Sequence, residues 1–428
     1  MNQENNKRIL NIMLFYSAAM LLVGVVLSLF NLGESMRGFW TILSSPSQLT
    51  LDCFKVGTVG GAFLNVGLVG LSCCGVFKLS GAALNGISLM GFFLTLGFSF
   101  FGINFFNIWP CFLGTLLFSM VARVKFGSQV NIAMFSTALA PFVSECFWRY
   151  PVVSGFGSLL LGIGVGAVVG FLMPMLCIHS PNMHKGYTLY SAAAVAGIIA
   201  IMLYALMYRA VGIEAPTNTN LGDGHSLIVN IVMSACALVM IIWGFILNGK
   251  SFKGYLSILK STGHKCDFTA KAGVPLTMIN IGIFGLFSIA YYNLVGAKMT
   301  SPTAGCMICL LAITASGAHC LNMLPIMLGY ALASTFCAFE LSTQAIVVGL
   351  CFAGAMTPMV GAFGSIPGII AGMLHACLVT SVATFHGGFL LYNGGFTSFF
   401  IVVLMLPVLE YFFHPKDHVC LLPGMKKR

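Results

Sequence analysis

Residues 184–193 of the chain are HKGYTLYSAA, and residues 386–395 are HGGFLLYNGG. Both stretches follow the pattern H-x-G-[aromatic]-x-L-Y-[Ser/Asn]-[small]-[small], although 202 residues separate them. A duplicated unit leaves several such pairs in the same order along a chain. This pair therefore predicts a duplication and directs attention to other repeated blocks.

Four further pairs of blocks recur in the same order, with a separation of 215 to 217 residues. They are RGFWTILSS from Arg37 and KGYLSILKS from Lys253; NVGLVGL from Asn65 and NIGIFGL from Asn280; GINFFNIWPCFLG from Gly102 and GAHCLNMLPIMLG from Gly317; and ALAP from Ala138 and AMTP from Ala355. The sequence thus predicts two copies of one unit, residues 1–208 and 225–428, joined by a linker at residues 209–224.

The composition is that of a membrane protein. Charged residues make up 7% of the chain and hydrophobic residues 58%, whereas globular proteins average roughly 25% charged residues. Apolar runs such as 9–32, 152–178 and 227–247 approach the ~20 residues that cross a ~30 Å hydrocarbon core. Because unpaired backbone groups are costly in lipid, such spans are helical. We therefore expect an all-α polytopic integral membrane protein.

Each copy contains about seven hydrophobic segments, among which we expect broken or re-entrant helices, and an odd number of crossings would invert the second copy relative to the first. In the first copy the segments lie at 9–32, 57–77, 81–103, 106–122, 128–147, 152–178 and 186–208. With the N-terminus inside, 15 of the 20 Lys and Arg residues fall on the inner side, as the positive-inside rule requires. The prediction is a pair of inverted-topology repeats in a plasma membrane, with both termini cytoplasmic and the linker outside.

Inverted repeats are common in transporters, which bind solute near the midplane, often at broken helices. Glycine and proline break one apolar stretch of each copy at the same place, and polar residues accompany them. The predicted substrate-binding residues are Asn104, Asn107, His319 and Asn322 at these breaks, Thr137 and Thr357 at a second pair of breaks, and Asn65 and Asn280 in the NxGxxGL blocks. An asparagine that caps a broken helix is the structural alternative.

Ionisable residues are few, and three are candidates for ion coupling because a carboxylate or imidazole buried in a membrane suggests a functional site. Asp52 and Asp267 match in the two copies, and His375 lies in the middle of a span. Glu145 and Arg149, four residues apart, are expected to form a structural ion pair.

The duplicated NxGxxGL, GxxxxN-x-x-P and HxGxxLYxxx blocks resemble an uncharacterised family of duplicated polytopic bacterial membrane proteins, classed as a domain of unknown function. The resemblance covers nearly the whole chain and implies a bacterial plasma membrane, with no activity attached. A fainter similarity to urea transporters lies in residues 65–71 and 392–395, where glycines accompany an asparagine.

No Walker A loop, HExxH motif or GxSxG nucleophile elbow occurs, so no enzymatic activity is expected. The 15 cysteines lack metal-ligand spacing, and neither a cofactor nor a bound metal is expected. Basic residues are dispersed, which argues against nucleic acid as a partner. The expected partners are the lipid bilayer and a small solute, and self-association into a homo-oligomer is left open.

The predicted function is a secondary transporter or facilitator for a small polar or anionic solute, with its site at the repeat interface near the midplane. Two alternatives stay open. One is a passive channel similar to urea transporters, and the other is a membrane-embedded sensor or scaffold subunit without flux.

Overall fold

A computed structural model describes residues 3–217 and 221–421, and the elements found there are helical. Ten helices in this part of the chain are long and apolar enough to cross a membrane, and four shorter apolar helices accompany them. The first unit contains α1 (Gln3–Phe30), α2 (Val59–Ser80), α3 (Gly86–Phe98), α4 (Ile108–Val121), α5 (Val130–Trp148), α6 (Phe156–Cys177) and α7 (Ser191–Arg209). The second contains α8 (Ser226–Leu247), α9 (Val274–Leu294), α10 (Ser301–Ala315), α11 (Cys320–Ser334), α12 (Gln344–Phe363), α13 (Ser365–Thr384) and α14 (Asn393–Phe412).

Each helix of the first unit corresponds to the helix seven numbers later in the second. The predicted all-helical polytopic fold and its duplication are confirmed. A short helix follows the first span of each unit, at Leu32–Leu43 in one and Tyr255–Lys260 in the other.

The short helices α3 and α4 form a hairpin that returns to the side where it began. Gly127, after α4, lies so close to the carbonyl oxygen of Ser80, before α3, that a Cβ atom would overlap it. In the second unit, Thr300 before α10 donates a hydrogen bond to Gln344 after α11 (2.7 Å). Each unit thus has five long spans and one helical hairpin.

Small residues allow each hairpin to pack closely on the second span that follows it. A Cβ atom at Gly170 of α6 would overlap the carbonyl oxygen of Cys111 in α4, and one at Gly372 of α13 would overlap that of Ile326 in α11. Such contacts are typical of membrane helices, in which glycine lets two backbones approach. The glycines spaced four residues apart in α6 (Gly162, Gly166 and Gly170) and in α13 (Gly368 and Gly372) therefore form packing surfaces.

The helices α5 and α12 are both interrupted by a 3-10 turn, at Thr137–Leu139 and Gly354–Met356. These turns coincide with the ALAP and AMTP blocks, where proline cannot donate to the helix ladder. Next to each turn passes a non-helical segment of the opposite unit, residues 185–190 or 385–392. We call these two stretches the crossing segments.

Candidate functional site

The crossing segments are the repeated pattern of the sequence. Leu189 donates its backbone N–H to the carbonyl of Ala355 (2.9 Å), and Leu391 donates to that of Ala138 (3.1 Å). Each segment therefore bonds to the 3-10 turn of the other unit, and the two copies are joined through their backbones in the interior.

The histidine of each pattern holds the first residue of the following helix. Nε2 of His184 lies 2.6 Å from Oγ of Ser191 at the start of α7, and Nε2 of His386 lies 3.0 Å from Oδ1 of Asn393 at the start of α14. All four residues belong to the repeated pattern, seven positions apart. The pattern thus builds the same histidine brace twice.

Burial lowers the pKa of His184 and of His386 to about 4 each, from an ordinary value of 6.5. Because the folded state keeps these histidines neutral, their contribution to the free energy of unfolding is complete above pH 6.5. This contribution is lost as the pH falls from 6.5 to 4. We expect the melting temperature in detergent to fall over that window. The variants His184→Gln and His386→Gln should melt lower at pH 7.5 but lose less on acidification; an unchanged pH profile would contradict the assignment.

The tyrosine of each pattern meets its counterpart between the two units. The ring centroids of Tyr190 and Tyr392 lie 4.8 Å apart, and each residue is 1% exposed. Neither hydroxyl group has a hydrogen-bond partner within the described part of the chain. The pattern therefore brings one buried, unpartnered hydroxyl from each unit to the same place.

A cavity of about 830 Å³ lies against this tyrosine pair. Its walls include Ile87, Met90, Ile132 and Phe135 of the first unit, and Ser316 of the second unit stands in the same wall. Ligand cavities commonly span about 300–1,000 Å³ and are mostly apolar with a few polar groups. This cavity has both the size and the lining of a small-molecule site.

Ser316 adds a third hydroxyl group to the cavity. The residue is 6% exposed, and its Oγ has no partner among the described residues. A buried polar group without a partner costs ~1–3 kcal/mol. Three such groups in one cavity indicate that their partners come from outside the chain.

The mouth of the cavity carries charge. Lys185 and Lys265 line it and are exposed, and Lys185 forms an ion pair with Glu410 (2.6 Å). Asp267 also lines the cavity. Its carboxylate already accepts hydrogen bonds from the backbone of Gly86 (3.2 Å) and from the backbone and hydroxyl of Thr269.

Aromatic rings occupy the corresponding positions around Tyr392. The ring centroid of Phe98 lies 5.7 Å from that of Phe101 and 5.8 Å from those of Phe352 and Tyr392. We call Phe98, Phe101 and Phe352 the phenylalanine block. The second unit has Ile313 and Ser316 where the first has Phe98 and Phe101. The cavity is consequently one-sided.

A polar network joins the crossing segment of the second unit to the first unit. Gln48 donates to the carbonyl of Gly387 (2.7 Å), and Leu49 donates its backbone N–H to that of Gly388 (2.8 Å). Arg149 donates to Gln48 (2.8 Å) and pairs with the buried Glu145 (2.6 Å), so the predicted ion pair is confirmed.

The predicted residues Asn107 and Asn322 close the tips of the two hairpins. In each, Oδ1 accepts the backbone N–H of the residue three positions earlier at 2.9 Å. Nδ2 donates to the carbonyl of the glycine five positions earlier, at 3.0 Å and 2.9 Å. Both side chains are fully buried, and neither lines the cavity. The binding assignment is corrected accordingly, because the hairpin backbone already uses these amides.

Substituting either amide should therefore cost stability. Asn107→Ala and Asn322→Ala leave backbone groups unpaired in the interior, and we expect a loss of ~1–3 kcal/mol each. The exposed Asn182 provides the matched control, since Asn182→Ala should melt like the parent protein. Melting curves in detergent measure the effect, and parental melting of both hairpin variants would show that the amides are dispensable.

Asn104 and His319 attach the tips to the segments that follow the first span of each unit. Asn104 donates to the carbonyl of Ile42 (3.3 Å), and Nε2 of His319 lies 2.8 Å from the carbonyl oxygen of Ser261. These residues also lie outside the cavity lining. Their predicted contact with solute is corrected to a contact with backbone.

Asn65 and Asn280 hold the hairpins from α2 and α9. Each donates from Nδ2 to two tip carbonyls at 2.9–3.0 Å: Ser99 and Ile103 for Asn65, and Thr314 and Ala318 for Asn280. The side chains are buried and absent from the cavity lining. Their role in the structure is again to fix the tips.

The two predicted threonines differ. Thr137 donates to the carbonyl of Met134 (2.6 Å). The hydroxyl of Thr357 is buried without a partner among the described residues, but Thr357 does not line the cavity. Neither residue is brought to the site.

Asp52 and Asp267 each cap the hairpin of the opposite unit. Asp52 accepts from the backbone N–H of Ser301 at the start of α10 (3.1 Å), and Asp267 accepts from that of Gly86 at the start of α3 (3.2 Å). His375, the third candidate for ion coupling, contacts the hydroxyl of Tyr330 (2.6 Å) and the carbonyl oxygen of Gly394 (2.8 Å). Protein groups thus occupy all three side chains.

The sequence prediction missed Tyr190, Tyr392 and Ser316. The two tyrosines occupy an invariant position of the repeated pattern, which is the signal that could have found them. Ser316 carried no such signal, because its counterpart Phe101 has a different character.

These features define a duplicated, all-helical polytopic membrane protein with a cavity between its two units. The chain belongs to the family described as "Protein of unknown function (DUF1576)", which matches residues 31–209 and again residues 227–411. No curated protein and no solved structure matches the chain. The similarity to urea transporters thus gains no support.

Proposed function

We propose that this protein is a secondary transporter or facilitator that moves a small polar or anionic solute across a plasma membrane. The observation that carries the proposal is the cavity between the units, in which the hydroxyls of Tyr190, Tyr392 and Ser316 have no partner among the described residues. The solute supplies these partners. The proposal assigns the protein no catalytic role and no nucleic-acid partner.

The two units are inverted in this proposal. Asp52 follows the first span of its unit, and Ser301 follows the second span of the other unit; in parallel units these positions would lie on opposite membrane faces. Their hydrogen bond (3.1 Å), and the reciprocal bond between Asp267 and Gly86, support an antiparallel arrangement. Inverted units with a site at their interface are a construction plan of secondary transporters.

The cavity opens on the cytoplasmic side in this arrangement, where positive charges accumulate. Lys185 and Lys265 at its mouth agree with that orientation. The basic C-terminal residues 426–428, assigned to the same side by the charge pattern, lie outside the described residues.

The orientation is tested by cysteine labelling of intact cells. Thr219 of the linker lies outside the described residues. Leu221 of the same linker is 38% exposed and is used instead. In a background with the exposed Cys377 replaced by serine, Leu221→Cys should label from outside with a membrane-impermeant maleimide. Lys265→Cys should label only after permeabilisation. The reverse result would overturn the orientation.

Transport itself is tested with purified protein in liposomes. We expect saturable, protein-dependent uptake of a solute that also raises the melting temperature of the detergent-solubilised protein. Binding without uptake would instead favour a sensor or scaffold subunit. Uptake that does not saturate would favour a passive channel.

A further inference from the structure

We propose that the solute is a small organic carboxylate with an apolar body, bound with its carboxylate at the hydroxyls of Tyr190, Tyr392 and Ser316. This inference rests on the proposed function, since it names the substrate class of the same cavity.

The inner end of the cavity offers hydrogen-bond donors. The three hydroxyl groups are at least nine-tenths buried and without partners among the described residues. A carboxylate is an acceptor with two oxygen atoms and about four lone-pair sites, so it can accept from all three. Hydrogen bonds to an ionised acceptor are roughly twice as strong as those between neutral groups.

A helix N-terminus also lines the cavity. Helix α7 begins at Ser191, directly after Tyr190, and Ser191 and Ala192 of its first turn line the cavity. The positive end of a helix dipole favours an anion. This helix start therefore compensates part of the negative charge of a ligand in the interior.

The charged residues of the wall also favour an anion. Asp267 has little acceptor capacity left for a cation, because its two oxygens already accept three hydrogen bonds from Gly86 and Thr269. Lys265 at the exposed mouth supplies positive charge, which raises the local concentration of anions.

The apolar part of the lining disfavours a purely polar solute. The cavity is lined in part by the apolar side chains of Ile87, Met90, Ile132 and Phe135. A sugar or an inorganic oxyanion would leave polar groups facing these side chains, and an unpaired buried polar group is costly. A hydrocarbon body would pack against the apolar side chains of the walls, while the carboxylate accepts hydrogen bonds from the hydroxyl groups.

Equilibrium binding to the detergent-solubilised full-length protein tests this proposal, with hexanoate and benzoate as probes. Inorganic phosphate, urea and glycerol serve as comparison solutes. We expect saturable binding of at least one carboxylate, and weakening by about tenfold or more in Tyr190→Phe, Tyr392→Phe and Ser316→Ala, since each removes one charge-assisted hydrogen bond.

Tyr16→Phe is the matched control. The Tyr16 hydroxyl is also buried without a partner in the described chain, but Tyr16 does not line this cavity. Its substitution should leave carboxylate affinity unchanged. Equal weakening in Tyr16→Phe and the cavity variants would overturn the assignment of the hydroxyls.

The two proposals fail in different ways. Carboxylate binding without uptake into liposomes would overturn transport and leave the ligand class standing. Uptake of phosphate, urea or glycerol, with no binding of or competition by the carboxylates, would overturn the ligand class and leave transport standing.

Discussion

Ser316→Phe is expected to abolish solute binding and to reduce uptake to the rate of protein-free liposomes. The corresponding residue of the first unit is Phe101, whose ring packs so closely on Gly305 that a Cβ atom there would lie 2.6 Å from a ring carbon. A phenylalanine at residue 316 would place the same ring in the cavity and remove one of its three donors. The result should be a filled space on both sides of the tyrosine pair.

A loss of activity could also follow from a clash, and a second variant separates the two causes. Met90, which lines the cavity, stands at the position equivalent to Gly305. The double variant Met90→Gly/Ser316→Phe reproduces the packing of the phenylalanine block and should melt near the parent protein while remaining inactive. Full uptake by this folded double variant would show that solute does not use the cavity.

Asp52→Ala should be strongly destabilising. Its fully buried carboxylate accepts three backbone N–H groups, those of Phe54 (3.1 Å), Gly222 (2.9 Å) and Ser301 (3.1 Å). Each donor left unpaired costs ~1–3 kcal/mol, so we expect the free energy of unfolding to fall by several kcal/mol. Melting in detergent and faster hydrogen exchange at the Ser301 amide measure the effect.

Asp223→Ala is the control for this experiment. Asp223 directly follows Gly222 in the sequence but is exposed. Its carboxylate lies 3.5 Å from the amino group of Lys298. An exposed pair contributes roughly 0–1 kcal/mol, so this variant should melt like the parent protein. A second variant, Asp52→Asn, tests the alternative role in ion coupling. If it melts like the parent protein and its uptake no longer depends on a proton or sodium gradient, Asp52 couples an ion and does not act as a cap.

The duplication and the segments of each unit could be predicted because they depend on local properties. Repeated blocks and the lengths of apolar runs can be read directly from the sequence. The short segments 81–103 and 106–122 are therefore predictable, even though they form a hairpin. The partner of a polar side chain is not a local property. Asn107 in hydrocarbon must have a partner, but only the folded tip shows that the partner is backbone.

The cavity was beyond sequence reasoning for a related reason. Tyr190 and Tyr392 are 202 positions apart, and their contact arises because each crossing segment bonds to the opposite unit. The missing partner of a hydroxyl is visible only after all neighbours are in place. The change from Phe101 to Ser316, which opens the space, had no meaning until the two residues were known to be structural counterparts.

The reciprocal caps also make the two units depend on each other. Asp52 reaches the hairpin of the second unit and Asp267 that of the first, so a protein made of a single unit could not cap its own hairpin. In the proposed inverted arrangement, the missing carboxylate would come from a second copy inserted the other way up. In that arrangement a single unit would be capped only when two copies inserted in opposite orientations paired, and joining the units in one chain makes this pairing permanent.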